Sequence, residues 1–196
     1  MLDRLARAVS ILGHPLLVLP AALALPAALR DADHATLRST LTGFALFAAL
    51  LLGWSWLQVG RGRWAHVDAS QPSERKSLNR TLLMAIAIGA LLAWLKSAPD
   101  LALALALSAA IVAVAMLVVR WCKLSLHAAF SVYAAGLLWP LGAVAIGAGC
   151  AFAGIVAWSR LRLSRHRPLD IVAGAATGGL AASGYWLTLH GLQASP

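Results

Sequence analysis

Long apolar runs separated by short polar connections dominate the pattern of this chain. Seven runs can be marked, each close to the length of about 20 residues that a helix needs to cross a bilayer. They cover residues 8–29, 38–59, 80–96, 100–119, 125–139, 140–158 and 168–190. The pattern predicts an all-α, polytopic transmembrane helix bundle with six to seven spans.

The ends of several runs carry turn signals. Pro140 follows Trp139 between the fifth and sixth runs, and Pro99 begins the fourth run; proline cannot continue a helix but suits its first turn. The first run reaches Leu29, which is long for the core of a cleaved signal peptide. We therefore predict a retained first span, with a signal peptide as the competing interpretation.

The composition indicates a membrane protein, and the net charge bears on its binding partners. The chain has 196 residues, of which 61% are hydrophobic and 12% charged, whereas soluble domains are about 45–50% apolar and about 25% charged. That length leaves room for a single membrane domain, residues 1–196. The net charge is +9, but the basic residues lie in short loops, so we expect a bilayer rather than nucleic acid as partner. Cys122 and Cys150 lack metal or disulfide spacing and are interpreted as small apolar fillers.

Three longer polar connections remain, at residues 60–80, 120–125 and 159–167. Two predicted spans separate the first from the second, and two more separate the second from the third. An even number of crossings returns the chain to the same face of the membrane. The three connections are therefore predicted to share one face with the N-terminus, where they can form a single site.

The last connection combines residue types that suit phosphate chemistry. Arg160 offers a planar fork for phosphate oxygens, and His166 a nitrogen nucleophile. Asp170, four residues further on, can hold the imidazole in one tautomer. A connection between two spans has little other reason to hold these groups together with Ser159.

The spacing S-R-x5-H-x3-D over residues 159–170 resembles the third signature of the type 2 phosphatidic acid phosphatase superfamily completely. The second signature of that family is P-S-G-H. Ser125 and His127 keep their places in it, while Leu124 and Leu126 stand where proline and glycine are usual.

The first signature of the family, K-x6-R-P, is only weakly matched. Arg75 keeps its place, Asp68 stands in the lysine place and Lys76 in the proline place. A carboxylate cannot bind phosphate directly, so we expect Lys123 to replace the missing cation. The resemblance covers about residues 60–190.

The resemblance implies roles for these residues and no metal or other cofactor. His166 would attack phosphorus, Asp170 would accept a hydrogen bond from its ring, and His127 would protonate the leaving oxygen and later activate water. The phosphate oxygens would be held by Arg160, Ser125, Arg75 and Lys123.

Purely structural interpretations stand beside these roles. Ser125 can serve as a helix N-cap, and Arg75 can belong to a solvated turn. The remaining arginines of the last connection follow from the positive-inside bias. Four other histidines have no such context and are interpreted as surface or packing residues: His14, His34, His66 and His190.

The resemblance implies a metal-independent lipid phosphatase acting on a lipid phosphate, such as a phosphatidic acid-like lipid, or on an isoprenyl diphosphate. The alternatives are a lipid phosphotransferase on the same scaffold or an inactive, non-enzymatic homologue; a channel would need charges within the spans. We expect a bacterial inner-membrane location. Thirteen of the 16 Lys and Arg residues lie on the predicted site face, which favours a cytoplasmic site, whereas relatives that work on the outer face favour a periplasmic one. The pattern gives no oligomeric state.

Overall fold

A computed structural model describes residues 1–29, 34–65 and 71–193, and the described chain is built of α-helices and turns without a β-strand. The all-α prediction is confirmed for this part of the chain. Two short 3-10 turns follow α5 and α6, at Val118–Arg120 and Trp139–Leu141. The eight α-helices of the described ranges are α1 (Leu2–Leu12), α2 (Pro15–Leu29), α3 (His34–Gly60), α4 (Pro72–Leu95), α5 (Pro99–Leu117), α6 (Leu126–Leu137), α7 (Ala143–Arg162) and α8 (Pro168–Gln193).

Fewer helices qualify as membrane spans than the sequence pattern predicts. Within the described ranges, α3, α4, α5 and α7 are long and apolar enough to cross a membrane, and the bent α1–α2 pair would make a fifth span. The 12 residues of α6 extend roughly 18 Å, well short of a hydrocarbon core about 30 Å thick. α8 has 26 residues and is long enough, but it is not among the helices that are apolar enough to qualify. The apolar helices are compatible with an integral membrane protein, and the count of six to seven spans is not confirmed.

The predicted first span, residues 8–29, is broken in the structure. α1 ends at Leu12 and α2 begins at Pro15, and the two axes differ by 56°. His14 precedes a proline, which disfavours the helical conformation. A Cβ atom added at Gly13 would lie 2.4 Å from a methyl group of Val156, so only glycine lets the break lie this close to α7.

α6 lies at the centre of the bundle and packs against α2, α5, α7 and α8. Its Phe130 and Tyr133 are almost fully buried, and the Tyr133 hydroxyl donates a hydrogen bond of 3.1 Å to the Ala104 carbonyl of α5. Cβ atoms added at Gly174 and Gly178 of α8 would lie 2.5 and 2.1 Å from backbone carbonyl oxygens at the start of α6. These glycines therefore bring α8 into direct backbone contact with α6, as small residues do between membrane helices.

The outer helices carry the exposed apolar surface. α3 packs against α2, and α4 against α5, at the edge of the bundle. Their outward side chains include Leu46, Leu50 and Ile88, each more than half exposed. Such a surface is compatible with contact to lipid and unfavourable in water.

Candidate functional site

The Asp170 carboxylate joins two connections that are far apart in sequence. Its Oδ1 atom accepts hydrogen bonds from the Lys123 backbone N–H at 3.0 Å and from the Cys122 thiol at 3.3 Å. Its Oδ2 atom accepts the Arg167 backbone N–H at 2.9 Å. The Asp170 carbonyl also accepts the Ser125 N–H at 3.0 Å. The start of α8 is therefore fixed to the segment that leads into α6.

The local sequence explains why Asp170 occupies this place. Pro168, where the seventh predicted run begins, is the first residue of α8, and Asp170 lies in the first turn, where a carboxylate is favoured by the helix dipole. The bond to the Arg167 N–H is the same one that an acidic residue makes in a capping box. Asp170 is only 6% exposed, so its oxygens depend on protein donors rather than on bulk water.

The ring of His166 is held in one orientation by the same segment. Its Nδ1 atom lies 3.0 Å from the Lys123 carbonyl oxygen and 3.6 Å from Oδ2 of Asp170. A carbonyl only accepts hydrogen bonds, so Nδ1 carries the proton and Nε2 keeps its lone pair. The direct acceptor is thus the Lys123 carbonyl, because 3.6 Å is too long for the predicted hydrogen bond to Asp170.

Burial lowers the pKa of His166 to about 4, and the nearby positive charges of Arg160 and Lys123 act in the same direction. The imidazole is therefore neutral near pH 7 in the absence of a ligand, and its Nε2 atom is available as a nucleophile. The side chain is 8% exposed, which limits its access to bulk water.

Arg160 lies in the last turn of α7 and reaches the N-terminal helix. One terminal nitrogen donates a hydrogen bond of 2.6 Å to the Ser10 hydroxyl of α1. The Nε atom is buried and has no hydrogen-bond partner within the part of the chain that the structure describes. Buried donors are nearly always satisfied in folded proteins, and this N–H is free to donate to an anion.

His127 is the second residue of α6 and lies close to both groups. Its ring is within electrostatic range of Arg160 and His166, and it interacts with the backbone of Ser10. The edge of the His14 ring packs against it, with the ring centroids 5.3 Å apart. The structure thus brings together the two histidines that the sequence singled out.

Lys123 and Arg75 extend the positive charge around the site. The Lys123 ammonium donates a hydrogen bond of 3.0 Å to the Arg165 carbonyl. Burial and the neighbouring positive charge of Arg75 lower the pKa of Lys123, although Asp170 opposes the shift. Arg75, on the first turn of α4, is therefore near the cluster, while Asp68 lies outside the described residues.

Ser125 is the N-cap of α6, because its hydroxyl accepts the Ala128 N–H at 3.4 Å. The capping interpretation is confirmed. Ser125 is also fully buried, so a contact between its hydroxyl and a phosphate oxygen stays a prediction.

Cys122 and Ser10 have contacts at the site that the sequence does not indicate. The interpretation of Cys122 as an apolar filler is wrong, because its thiol donates to Asp170, and burial together with that carboxylate raises the pKa of Cys122. Ser10 contacts Arg160 across 150 residues of chain, so it leaves no local signal. His14 is exposed and its ring packs on His127, which agrees with its interpretation as a surface or packing residue.

Comparisons of the chain with protein-family models, with curated proteins and with solved structures find no match. Among the described residues, no group of three or more His, Cys, Asp or Glu side chains is arranged to hold a metal ion. The assignment of a function therefore rests on the motif residues and on the geometry described above.

Proposed function

We propose that this protein is a polytopic membrane lipid phosphatase of the type 2 phosphatidic acid phosphatase superfamily. Its reaction would remove phosphate from a lipid phosphate or an isoprenyl diphosphate without a metal ion, through a phosphohistidine. The observation that carries the proposal is the protonation state of the His166 ring. Its Nδ1 atom is bound to the Lys123 carbonyl, which leaves Nε2 unprotonated beside the positive charge of Arg160.

In the first step, Nε2 of His166 would attack phosphorus and form a nitrogen–phosphorus bond. The bond from phosphorus to the lipid oxygen breaks, and its electron pair stays on that oxygen. Burial and the positive charge of Arg160 lower the pKa of His127 to about 2 in the free protein, so His127 would take up the proton of a monoanionic phosphate substrate and pass it to the leaving oxygen. In the second step, His127 would take a proton from water as the water oxygen attacks the phosphohistidine and the nitrogen–phosphorus bond breaks. Inorganic phosphate leaves with that proton, and both imidazoles return to their neutral starting state.

Positive charge would stabilise the transition state. The guanidinium of Arg160 has a buried, unused donor, and a phosphate oxygen is an acceptor that suits it. Lys123 and Arg75 would lower the energy of the same oxygens by charge, as fixed cations do in phosphoryl transfer. Ser125 would add a hydrogen bond if the start of α6 opens when the substrate binds.

The lipid would enter sideways between helices, so that its head group meets the basic cluster at the membrane surface. We place the site on the cytoplasmic face of the bacterial inner membrane because of the charge bias of the loops, with the periplasmic face as the alternative. Accessibility of tags at the N-terminus and C-terminus to impermeant reagents in intact cells tests the orientation.

The test of function is phosphate release from a panel of lipid phosphates and diphosphates in detergent, with a chelator in place of divalent ions. His166→Ala should abolish release. His190→Ala is the matched control, because its ring binds the Trp186 carbonyl within the last turns of α8. The proposal is wrong if the wild-type protein releases phosphate from no member of the panel, or if His166→Ala retains full activity. Transfer of the phosphate to an acceptor other than water would identify a phosphotransferase.

A further inference from the structure

The N-terminal helix contributes a residue that contacts two of the groups assigned to catalysis. Ser10 is 9% exposed, and its hydroxyl accepts the 2.6 Å hydrogen bond from Arg160. The backbone of the same residue interacts with the ring of His127. No signature of the family resemblance extends to this part of the chain, which precedes residue 60.

α1 is held against α7 at both ends. Near its start, the Asp3 carboxylate forms an ion pair of 3.0 Å with Arg162. At its end, Gly13 packs on Val156. Ser10 lies between these contacts, so the position of its hydroxyl relative to α7 is set by the packing of the helix and does not depend on its own bond to Arg160.

The outward face of α1 suits the surface of a membrane. Leu2, Leu5 and Leu12 are each at least half exposed, while Arg4 and Arg7 lie on the polar side of the same helix. A short amphipathic helix of this kind is suited to the plane of the interface between water and lipid. If α1 lies there, instead of forming a broken span with α2, it is at the depth of a phosphorylated head group.

We propose that Ser10 is a positioning residue that holds the Arg160 guanidinium in place to bind phosphate, so that α1 forms one wall of the catalytic site. This inference rests on the proposed function.

The chemistry of a hydroxyl explains why serine suits this role. A hydroxyl accepts one N–H of the guanidinium and fixes its orientation, but it leaves the positive charge available to an anion. A carboxylate at the same place would fix the guanidinium too, and would also neutralise it. Replacement of a residue that served only to pack α1 against α7 would change the stability of the protein and leave the phosphate affinity of the folded protein unchanged.

The experiment measures the binding of inorganic phosphate to the full-length protein in detergent by calorimetry. The variants are Ser10→Thr, which keeps the hydroxyl, Ser10→Ala, which removes it, and Ser10→Asp, which adds a charge. Ala8→Ser, at an exposed position of the same helix, is the matched control. We expect wild-type affinity for Ser10→Thr and Ala8→Ser, affinity about tenfold weaker for Ser10→Ala, and no detectable binding for Ser10→Asp.

A double-mutant cycle with Arg160→Gln separates positioning from general damage to the fold. In that background Ser10→Ala should cause no further loss of affinity, because the group that it positions is gone. Equal phosphate affinity of the wild type and Ser10→Ala, or the same loss in both backgrounds, would overturn the role of Ser10 and leave the proposed function standing. Absence of phosphate binding by the wild-type protein would instead refute the proposed function.

Discussion

Replacement of Asp170 should loosen the whole site, because its carboxylate joins the two connections that carry the candidate residues. Asp170→Ala removes the acceptor of two backbone N–H groups, those of Lys123 and Arg167. Leaving a buried donor without a partner costs about 1–3 kcal/mol. For two donors the expected loss in the free energy of unfolding is roughly 2–6 kcal/mol, reduced where water can reach them.

Two other variants make this estimate testable. Asp170→Asn keeps one oxygen acceptor but presents an N–H₂ group to the other donor, so its loss should lie between those of the wild type and Asp170→Ala. Asp100→Ala is the matched control, since Asp100 is also in the first turn of a helix but is exposed. There the loss is limited to the interaction with the helix dipole, about 0.3–1 kcal/mol.

The assay is thermal unfolding in detergent, followed by the fluorescence of the eight tryptophans, with a phosphatase assay on the same preparations. We expect the decrease in melting temperature to be several times larger for Asp170→Ala than for Asp100→Ala. Asp170→Ala should also lose activity at temperatures where it is still folded. Equal shifts for the two variants would mean that the Asp170 carboxylate does not join the two connections energetically.

Three further predictions address separate parts of the structure. Lys123→Ala should cut phosphatase activity severely while preserving the fold, because the bonds to Asp170 and His166 are made by backbone atoms; near-normal activity would remove Lys123 from the site. The pKa of His166, followed by NMR of ¹⁵N-labelled histidine, should lie near 4. Between about pH 4 and pH 6.5, His166 binds a proton in the unfolded chain but not in the folded protein, so the free energy of unfolding should fall as the pH drops through this range. A His166 pKa near 6.5 would contradict this. Gly178→Ala should destabilise the protein by forcing a methyl group against a backbone carbonyl of α6, whereas Gly179→Ala, which meets no atom within 4 Å, should not; equal effects would argue against this close packing.

Local sequence signals predicted the features that depend on neighbouring residues. The helix starts at Pro99 and Pro168 and the N-cap at Ser125 follow from the chemistry of helix termini, and all three are found. The prediction of seven spans was less successful, because an apolar run gives no information on whether its helix is continuous. The proline after His14 is a local signal for the break, but the close approach of Gly13 to Val156 and the short α6 depend on how the chain packs.

The sequence predicted that several of the candidate residues lie near one another, but not which atoms they bond to. The sequence placed His166 near Asp170, but the acceptor of the His166 ring turned out to be the backbone of Lys123. A side-chain motif contains no information about backbone acceptors that lie 43 residues away. The same limit hid Ser10, since its partner Arg160 is 150 residues distant in the chain.

The fold accounts for part of the third signature and leaves the rest unexplained. Ser159 is buried and bonded to a carbonyl of its own helix, and Asp170 completes the backbone hydrogen bonds at the start of α8. Both would be useful in a protein with no activity at all. Arg160 and His166 are different. The partly buried guanidinium of Arg160 has a buried N–H without a partner among the described residues, which adds nothing to stability, and the neutral imidazole of His166 does not need two cations beside it in order to fold. A site for an anion requires groups of this kind, which add little to folding and still lie together at the end of the bundle. The test of function should therefore begin with Arg160 and His166.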